Sequence, residues 1–488
     1  MSKPYKYSRL LSIIILAVIL IVSIGSLAKL VSYFQYGADQ NTALNLSEAL
    51  SSEHTPQILW QNDSILYKEK INKYLRNKIT ENYTQAWQVT NISLLSKNLD
   101  GLEDYYCDSM LQYMEKIIPS NNLIIERIDL SHSITPNLLS IDQNYFSFTD
   151  GPVHIKEKIT SKDGSLQMSE EYIDFYNIIM TREDGRWKIR KKVLEKRNKK
   201  LREPVNKVKL NNKVKGINYY PRKTPWKAFW VAYDRDVIRT DLSKIKEAGY
   251  DHIRIFFPFA TLGKGHVDPT YLDNIEDLFA QAENFDISIT ATLFDFPIGF
   301  SLKHYTAYDN QMTTLINTLK NYKSLYAWDL KNEPDLDYRY HKKEEVDEWL
   351  KFIISRAKSL DDSHPITLGW SDIAYATKFA EELDFVSFHY YKEPEDLSPL
   401  LLKLQDELVN IPIAITEYGR SSYNPWWYPG YSEAEQKAYI LDIENIINET
   451  NIPIHIAWCY SDYDVAPSDV FGWKPWIRAQ QKKFGLIE

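Results

Sequence analysis

LYAWDLKNEPD (325–335) begins as a short apolar run, crosses into polar residues and meets a breaker at Pro334. A run of that length, closed by proline, reads as a buried strand rather than a helix. Seven other runs share its form: KGINYY (215–220), HIRIFFPF (252–259), ISITATLF (287–294), PITLGW (365–370), FVSFHYY (385–391), PIAITEY (412–418) and PIHIAWCY (453–460). Helical stretches lie between them. In DLSKIKEAG (241–249), Leu242, Ile245 and Ala248 share a face and Gly249 stops the helix. Eight buried strands alternating with helices over about 275 residues have the size of a (β/α)8 barrel. A doubly wound open sheet is the alternative, but no glycine-rich dinucleotide or phosphate loop follows the first strand.

In such a barrel the chemistry sits at the C-terminal strand ends. Those ends carry Tyr219 and Tyr220, Arg254, Asp295, Asn332 and Glu333, Trp370, His389 and Tyr391, Glu417, and Trp458, in strand order. One strand-end glutamate is more often a loop salt bridge than a catalyst. Two of them, Glu333 and Glu417, each follow an apolar strand and have polar and aromatic neighbours at the other ends, which a plain surface does not explain.

These residues carry a resemblance. DLKNEPD (329–335) is similar to the strand-4 Asn-Glu-Pro motif of clan A retaining glycoside hydrolases, and ITEYG (415–419) to their strand-7 nucleophile segment. HYY (389–391), Arg254 and Trp458 resemble further positions of glycoside hydrolase family 5, the cellulase family. The likeness spans 215–488. It departs at LFDFP (293–297), where many members carry a histidine and Asp295 stands instead.

The resemblance implies hydrolysis with retention, which needs a carboxylic acid and a carboxylate about 5–5.5 Å apart. It makes Glu333 the general acid/base and Glu417 the nucleophile. Glu333 is then expected to have a raised pKa, set by its surroundings and by the charge of Glu417. Arg254 and Tyr391 are expected to steady Glu417, Asn332 to bond the sugar 2-hydroxyl, and His389 to orient the network. Trp458 is expected under the sugar. Tyr220 and Asp295 are candidate subsite residues. Trp226, Trp230, Trp426, Trp427, Tyr428, Trp473 and Trp476 fall in loops on the same face, where indoles stack on pyranose rings, although any one of them serves equally well as core. No cofactor or metal set is apparent.

The rest of the chain divides by composition. Residues 10–28, LLSIIILAVILIVSIGSLA, carry no charge and are long enough to span a bilayer. Lys3, Lys6 and Arg9 precede them, so the expectation is a cytoplasmic flank (1–9) and a single-pass anchor (10–30) with everything later outside the cytoplasm. Cleavage after Ser26-Leu27-Ala28, giving a secreted protein, is the alternative. A stalk is expected over 31–62. Residues 63–197 read as two or three helices followed by a curved sheet that ends in GRWKIRKKV (185–193), and they resemble the nuclear transport factor 2-like fold, a small α+β cone. No acid–base pair stands out there, which suggests a spacer or docking domain. Residues 188–215 hold 13 Lys/Arg against Glu195 and Glu203. They are expected to form a basic linker (198–213) ahead of the barrel domain (214–488).

Composition narrows the partners. The chain has 488 residues and net charge −8, which argues against nucleic acid as ligand. Two cysteines, Cys107 and Cys459, exclude a disulfide scaffold and a four-cysteine zinc site. The expected function is a membrane-anchored β-glycosidase, an endo-β-glucanase or related β-glycanase, acting on a β-linked polysaccharide or oligosaccharide alongside surface-polysaccharide synthesis or secretion machinery. A non-catalytic carbohydrate-binding scaffold and a transglycosylase are the alternatives.

Overall fold

The computed structural model describes residues 55–61, 71–118, 123–161, 164–199, 210, 213–295, 299–424, 430–464 and 483–487. The expected anchor lies outside the described residues, as does most of the stalk. Among the described residues no helix is long and apolar enough to cross a membrane. The chain divides into two compact units, one holding Ile58–Lys199 and the other Lys200–Glu488.

In the first unit, helices α1 (Lys73–Ser96), α2 (Leu102–Tyr105) and α3 (Asp108–Ile117) accompany a five-stranded sheet. Its strands β1 (Gln57–Trp60), β2 (Ile124–Leu139), β3 (Tyr145–Thr160), β4 (Leu166–Glu183) and β5 (Arg186–Lys199) follow chain order, with β2 to β5 antiparallel. Asn72 opens α1 by accepting from the Leu75 amide, the role of a short polar cap. Ile79, Tyr83, Ala86 and Trp87 of α1 enter the core beside Phe146, Phe148 and Ile189. Strands β2 to β5 are long, at 16, 16, 18 and 14 residues. Pro136 and Gly151-Pro152 mark breaks in the sequence, yet each sits at a register shift inside a continuous strand. A bulge accommodates what a regular ladder would not. Strand β1 falls where a stalk is expected.

A polar interior also went unread in this unit. His132 lies between two fully buried acids, with Nδ1 2.7 Å from Asp150 and Nε2 3.0 Å from Asp129. Tyr83 donates to Asp150, and Asn91 to Asp129. Burial opposes charge on His132, but the charges of Asp150 and Asp129 and their hydrogen bonds outweigh it and raise the pKa to about 9.

The second unit is a TIM barrel. Eight parallel strands close on themselves: β6 (Val214–Asn218), β7 (His252–Phe256), β8 (Ser288–Thr292), β9 (Leu325–Asn332), β10 (Ile366–Trp370), β11 (Val386–Tyr390), β12 (Ile413–Tyr418) and β13 (Ile454–Ala457). All eight fall on the apolar runs. The long helices between them are α4 (Arg235–Glu247), α5 (Pro269–Asn284), α6 (Tyr305–Leu319), α7 (Lys343–Leu360), α8 (Leu397–Glu407) and α9 (Glu433–Glu449). Their starts are chemically marked. Asp234 accepts from two amides of α4, Asp268 precedes Pro269, and Ser432 with Glu435 forms a capping box on α9. Between β10 and β11 the described chain has one 3-10 turn, Ile373–Tyr375, followed by a run of hydrogen-bonded turns to Leu383 in place of a long helix.

The barrel interior is layered. Near the strand starts, Val214, Ala327, Phe385, Ala414, Ile454 and Ile456 form an apolar plug. Above it, His252 is held between the Ser288 and Thr290 hydroxyls, and Thr367 donates to Ser387. A layer of buried charge follows, and this layer carries the candidate site.

Candidate active site

Arg254 organises the layer. It is fully buried and leaves β7 pointing inward. Its Nη1 donates to Glu417 Oε1 at 2.6 Å and to Asn218 Oδ1 at 3.0 Å. Its Nη2 donates to Asp329 Oδ2 at 2.6 Å and to Asn332 Oδ1 at 2.8 Å, and Nε reaches Asp329 at 3.0 Å. One planar cation thus ties strands β6, β7, β9 and β12 together, a use that suits the fork of guanidinium donors. Burial opposes its charge, but Asp329 and Glu417 outweigh that and hold its pKa above even the ordinary arginine value.

Glu417, inward from β12, takes a second donor on its other oxygen: the Tyr391 hydroxyl lies 2.7 Å from Oε2. Burial and the neighbouring Glu417 charge push the Tyr391 pKa well up, so this hydroxyl stays protonated and donates. Both oxygens of Glu417 thus accept a hydrogen bond from a buried donor.

Glu333 follows β9 in the left-handed region, at φ 48°, which is costly for a side chain with a Cβ and is held here by its surroundings. Its amide bonds the Gly369 carbonyl, and Pro334 starts the next turn. Beneath it, the Lys331 ammonium bonds the Asn332 carbonyl and pairs with Asp337 at 3.0 Å. His389 Nδ1 lies 3.0 Å from Glu333 Oε1 and 3.4 Å from Glu417 Oε2. One carboxylate oxygen of each glutamate and one nitrogen of His389 all lie within 4.8 Å of one another.

The protonation state of Glu333 differs from the sequence expectation. Burial does push its pKa up, but the His389 hydrogen bond and the charges of His389, Lys331 and Arg254 win, and the net shift is downward. His389 shifts the opposite way. Burial lowers its pKa, and the Glu417 charge and the Glu333 hydrogen bond more than restore it, so it rests above the ordinary histidine value. In the unliganded site the proton of this pair sits on His389.

Asp295, just beyond β8, accepts from Asn332 Nδ2 at 3.1 Å and from the Tyr220 hydroxyl at 3.2 Å. Burial raises its pKa to about 7, although Lys331 and Arg254 pull the other way. Trp458 packs edge-on against Tyr220 and Phe256, with ring centroids 6.4 and 6.2 Å away. The Arg254, Asp295, Asn332, Glu333, His389, Tyr391, Glu417, Trp458 and Tyr220 side chains therefore form one continuous network.

Other candidates do not join it. Tyr219 turns outward and donates to Asp241 of α4. Trp370 is buried and stacks on Tyr375 and Phe379. Trp230 is wholly buried with its indole N–H on the Phe256 carbonyl, so it is core rather than a sugar platform. Trp226 is the exception and reaches the network, with its ring centroid 6.2 Å from that of Tyr220 and 4.8 Å from that of Tyr463. Trp426, Trp427, Tyr428, Trp473 and Trp476 lie outside the described residues.

Three participants escaped the sequence reading. Asp329 is the buried partner of Arg254, and its other oxygen accepts from the Gly369 amide. Its signal was an acid inside an otherwise apolar strand. Asn218 offered a weaker version of that signal. Gly369 matters because it lacks a side chain: a Cβ there would lie 3.1 Å from Asp329 Oδ2, 3.2 Å from Arg254 Nη2 and 3.3 Å from His389 Nε2.

The Glu333–His389–Glu417 spacing would also suit a metal ion. The Arg254 guanidinium already engages Glu417 and sets a like charge against any cation placed there. A groove of about 500 Å³ in the first unit, lined in part by Trp60, Ile71 and Arg76, contains no carboxylate pair.

Residues 300–470 match the family described as Glycosyl hydrolases family 2, TIM barrel domain. Comparison with curated proteins finds no match. Similar solved structures include the exo-β-1,4-mannosidase Op5Man5 from Opitutaceae bacterium strain TAV5, at 18% identity and TM-score 0.47, covering 56% of each chain. They also include GH5_18 from Streptomyces cattleya in complex with GlcNAc, at 13% identity and TM-score 0.47, over 57% of this chain and 76% of that one. A β-D-glucuronidase from Dictyoglomus thermophilum matches at 15% identity and TM-score 0.42, over 72% of this chain and 66% of that one. This chain thus spans little more than half the length of the mannosidase. The family match runs through β9 to β13, so the glycosyl hydrolase likeness falls on the part of the barrel that carries both Glu333 and Glu417.

Proposed function

We propose that the protein is a retaining β-glycoside hydrolase that works by double displacement. The observation that carries the proposal is the pair of carboxylates from β9 and β12, with oxygens within 4.8 Å, one accepting from Arg254 and Tyr391 and the other bonded to His389. Such close carboxylates leave no room for an inverting water between them. Glu417 attacks the anomeric carbon, the glycosidic C–O bond breaks, and the leaving oxygen takes a proton from Glu333. Glu333 then accepts a proton from water as that water displaces Glu417. Glu333 enters the first step protonated because a bound sugar excludes water and moves the shared proton from His389 onto it.

The substrate is a β-linked polysaccharide or oligosaccharide, and the activity that of an endo-β-glucanase or related β-glycanase. The anchor read at 10–30 holds the barrel outside the cytoplasm at the cell membrane, beside the machinery that makes or secretes surface polysaccharide. The first unit, of nuclear transport factor 2-like type, serves there as spacer or docking domain.

The test uses the full chain in detergent and a panel of β-glucans and β-mannans, scored by reducing ends and product size. Glu333→Gln and Glu417→Gln should each abolish cleavage, and a 2-deoxy-2-fluoro glycoside should leave one glycosyl group on the Glu417 peptide by mass spectrometry. Cleavage that persists in Glu417→Gln refutes the assignment.

A further inference from the structure

The charged network around the two glutamates has a polarity from bottom to top. Its cations lie at the bottom: the Arg254 side chain is 0% exposed, His389 0% and Lys331 2%. Each is engaged by an acid of the same network. The charged groups that reach the surface are all acidic, beside the neutral Tyr391 and Asn332: the Glu333 side chain is 28% exposed, Glu417 7%, and Asp295 8% as a residue. A ligand over this layer meets carboxylates, with the compensating cations behind them.

Asp295 has no part in the two displacement steps. Its acceptors sit beside Asn332, which neighbours the acid/base. It therefore faces the flank of the sugar next to the reacting carbon rather than the bond that breaks.

We propose that Asp295 sets specificity by charge: the subsite favours a sugar bearing a protonated amine, takes a neutral sugar less well, and rejects a sugar bearing a carboxylate. This deepens the proposed function by naming the substrate class, a β-glycan with free amino groups, and rests on that reading for the position of the sugar. Burial has raised the Asp295 pKa to about 7, so an ammonium beside it draws off the remaining proton and gains an ion pair in a partly dry site, whereas a carboxylate in the same place meets three acids and no unengaged cation of the network.

The ranking is read as binding, so it does not depend on turnover. Calorimetry on the full chain at pH 7 compares a β-1,4-linked glucosamine disaccharide, cellobiose and cellobiouronic acid. The first should bind at least about tenfold more tightly than cellobiose, and the last at least about tenfold more weakly, the scale of a single partly screened charge contact. Asp295→Asn should bring the three dissociation constants together, and Tyr220→Phe, which removes a hydroxyl but no charge, should keep them apart. If Asp295→Asn does not fold, the wild-type ranking decides alone. Equal affinities, or tightest binding of the uronic acid, overturn the proposal. Cleavage of neutral glycans with a flat ranking overturns this inference and leaves the proposed hydrolase standing. The expected ranking with no cleavage of any glycan supports the charge-selective site and removes the hydrolase.

Discussion

Gly369→Ala tests whether the buried charge layer is as rigid as its hydrogen bonds imply. The new methyl carbon would lie 3.1 to 3.3 Å from Asp329 Oδ2, Arg254 Nη2 and His389 Nε2, tighter by a few tenths of an ångström than such contacts tolerate. None of the three gives way easily. Arg254 makes five hydrogen bonds to four partners, Asp329 is held by Arg254, Thr292 and the Gly369 amide itself, and His389 is fixed between two glutamates. Overpacking of that kind costs about 1–3 kcal/mol. The displaced atoms are the ones that orient Glu333 and Glu417, so the rate should suffer more than the fold, with kcat down about tenfold for a displacement of a few tenths of an ångström, short of the roughly hundredfold that about 1 Å costs. Gly216→Ala is the matched control. Its Cβ would lie 2.8 Å from His252 Cδ2, deeper in the same barrel and away from both glutamates. Thermal melts and steady-state kinetics on both variants should therefore diverge: similar losses of stability, with the rate lost only in Gly369→Ala. A Gly369→Ala protein with wild-type kcat, or a Gly216→Ala protein equally impaired in kcat, would refute the argument that the charge layer transmits strain to the carboxylates.

Tyr391→Phe removes one of the two charge-assisted hydrogen bonds on Glu417, and kcat/KM should fall about tenfold to a hundredfold, the value of about 1.5–3 kcal/mol for such a bond, measured at saturating and limiting substrate. His389→Gln removes the partner that holds the shared proton at a raised pKa, leaving Glu333 as the only acid, so the alkaline limb of the pH–rate profile should move to lower pH; an unmoved limb would show that the pair does not share the titrating proton. Lys331→Met strands the buried Asp337 carboxylate and should destabilise the second unit by about 3–5 kcal/mol in denaturant unfolding. In the first unit, His132 charges more readily when folded than free, so it contributes stability that is fully present below about pH 6.5 and lost as pH rises through about 9; His132→Gln should flatten that slope in melts of the first unit.

The barrel was legible because its eight strands are buried on both faces, and a strand with two dry faces writes itself as an uninterrupted apolar run. The roster of strand ends was legible for the same reason: once the runs are placed, the residue after each is fixed. What the runs hide is direction. Tyr219 and Tyr220 are neighbours in sequence, but the pleat sends one to Asp241 outside the barrel and the other to Asp295 inside it. Trp370 and Trp230 have the composition of sugar platforms and the environment of core. The first unit was less legible because its long bulged strands tolerate proline and glycine where a regular strand would end. Its His132 network joins residues 18 positions apart across neighbouring strands, with no local pattern to announce them.

The least legible feature, Asp329, explains the most about the site. A buried acid facing a buried arginine is seldom the most stable filling for a barrel interior, since apolar residues of similar volume do as well or better. Here Arg254 has two acids to satisfy, and their exposure separates their roles: Asp329 is fully buried and fully bonded, while Glu417 reaches the cleft. With Asp329 alone, the guanidinium would be a neutral internal staple. With Glu417 alone, a single cation would form a tight pair with the attacking oxygen and dull it. Sharing the cation between the two leaves Glu417 positioned and only partly neutralised, which suits the nucleophile proposed for it. Asp329→Asn therefore makes a sharper probe of the mechanism than its distance from the cleft suggests. It keeps one acceptor oxygen for Arg254 but sets an amide NH2 against the Gly369 N–H, and it returns the whole guanidinium charge to Glu417, so the glycosylation step should slow while Glu417 stays in place.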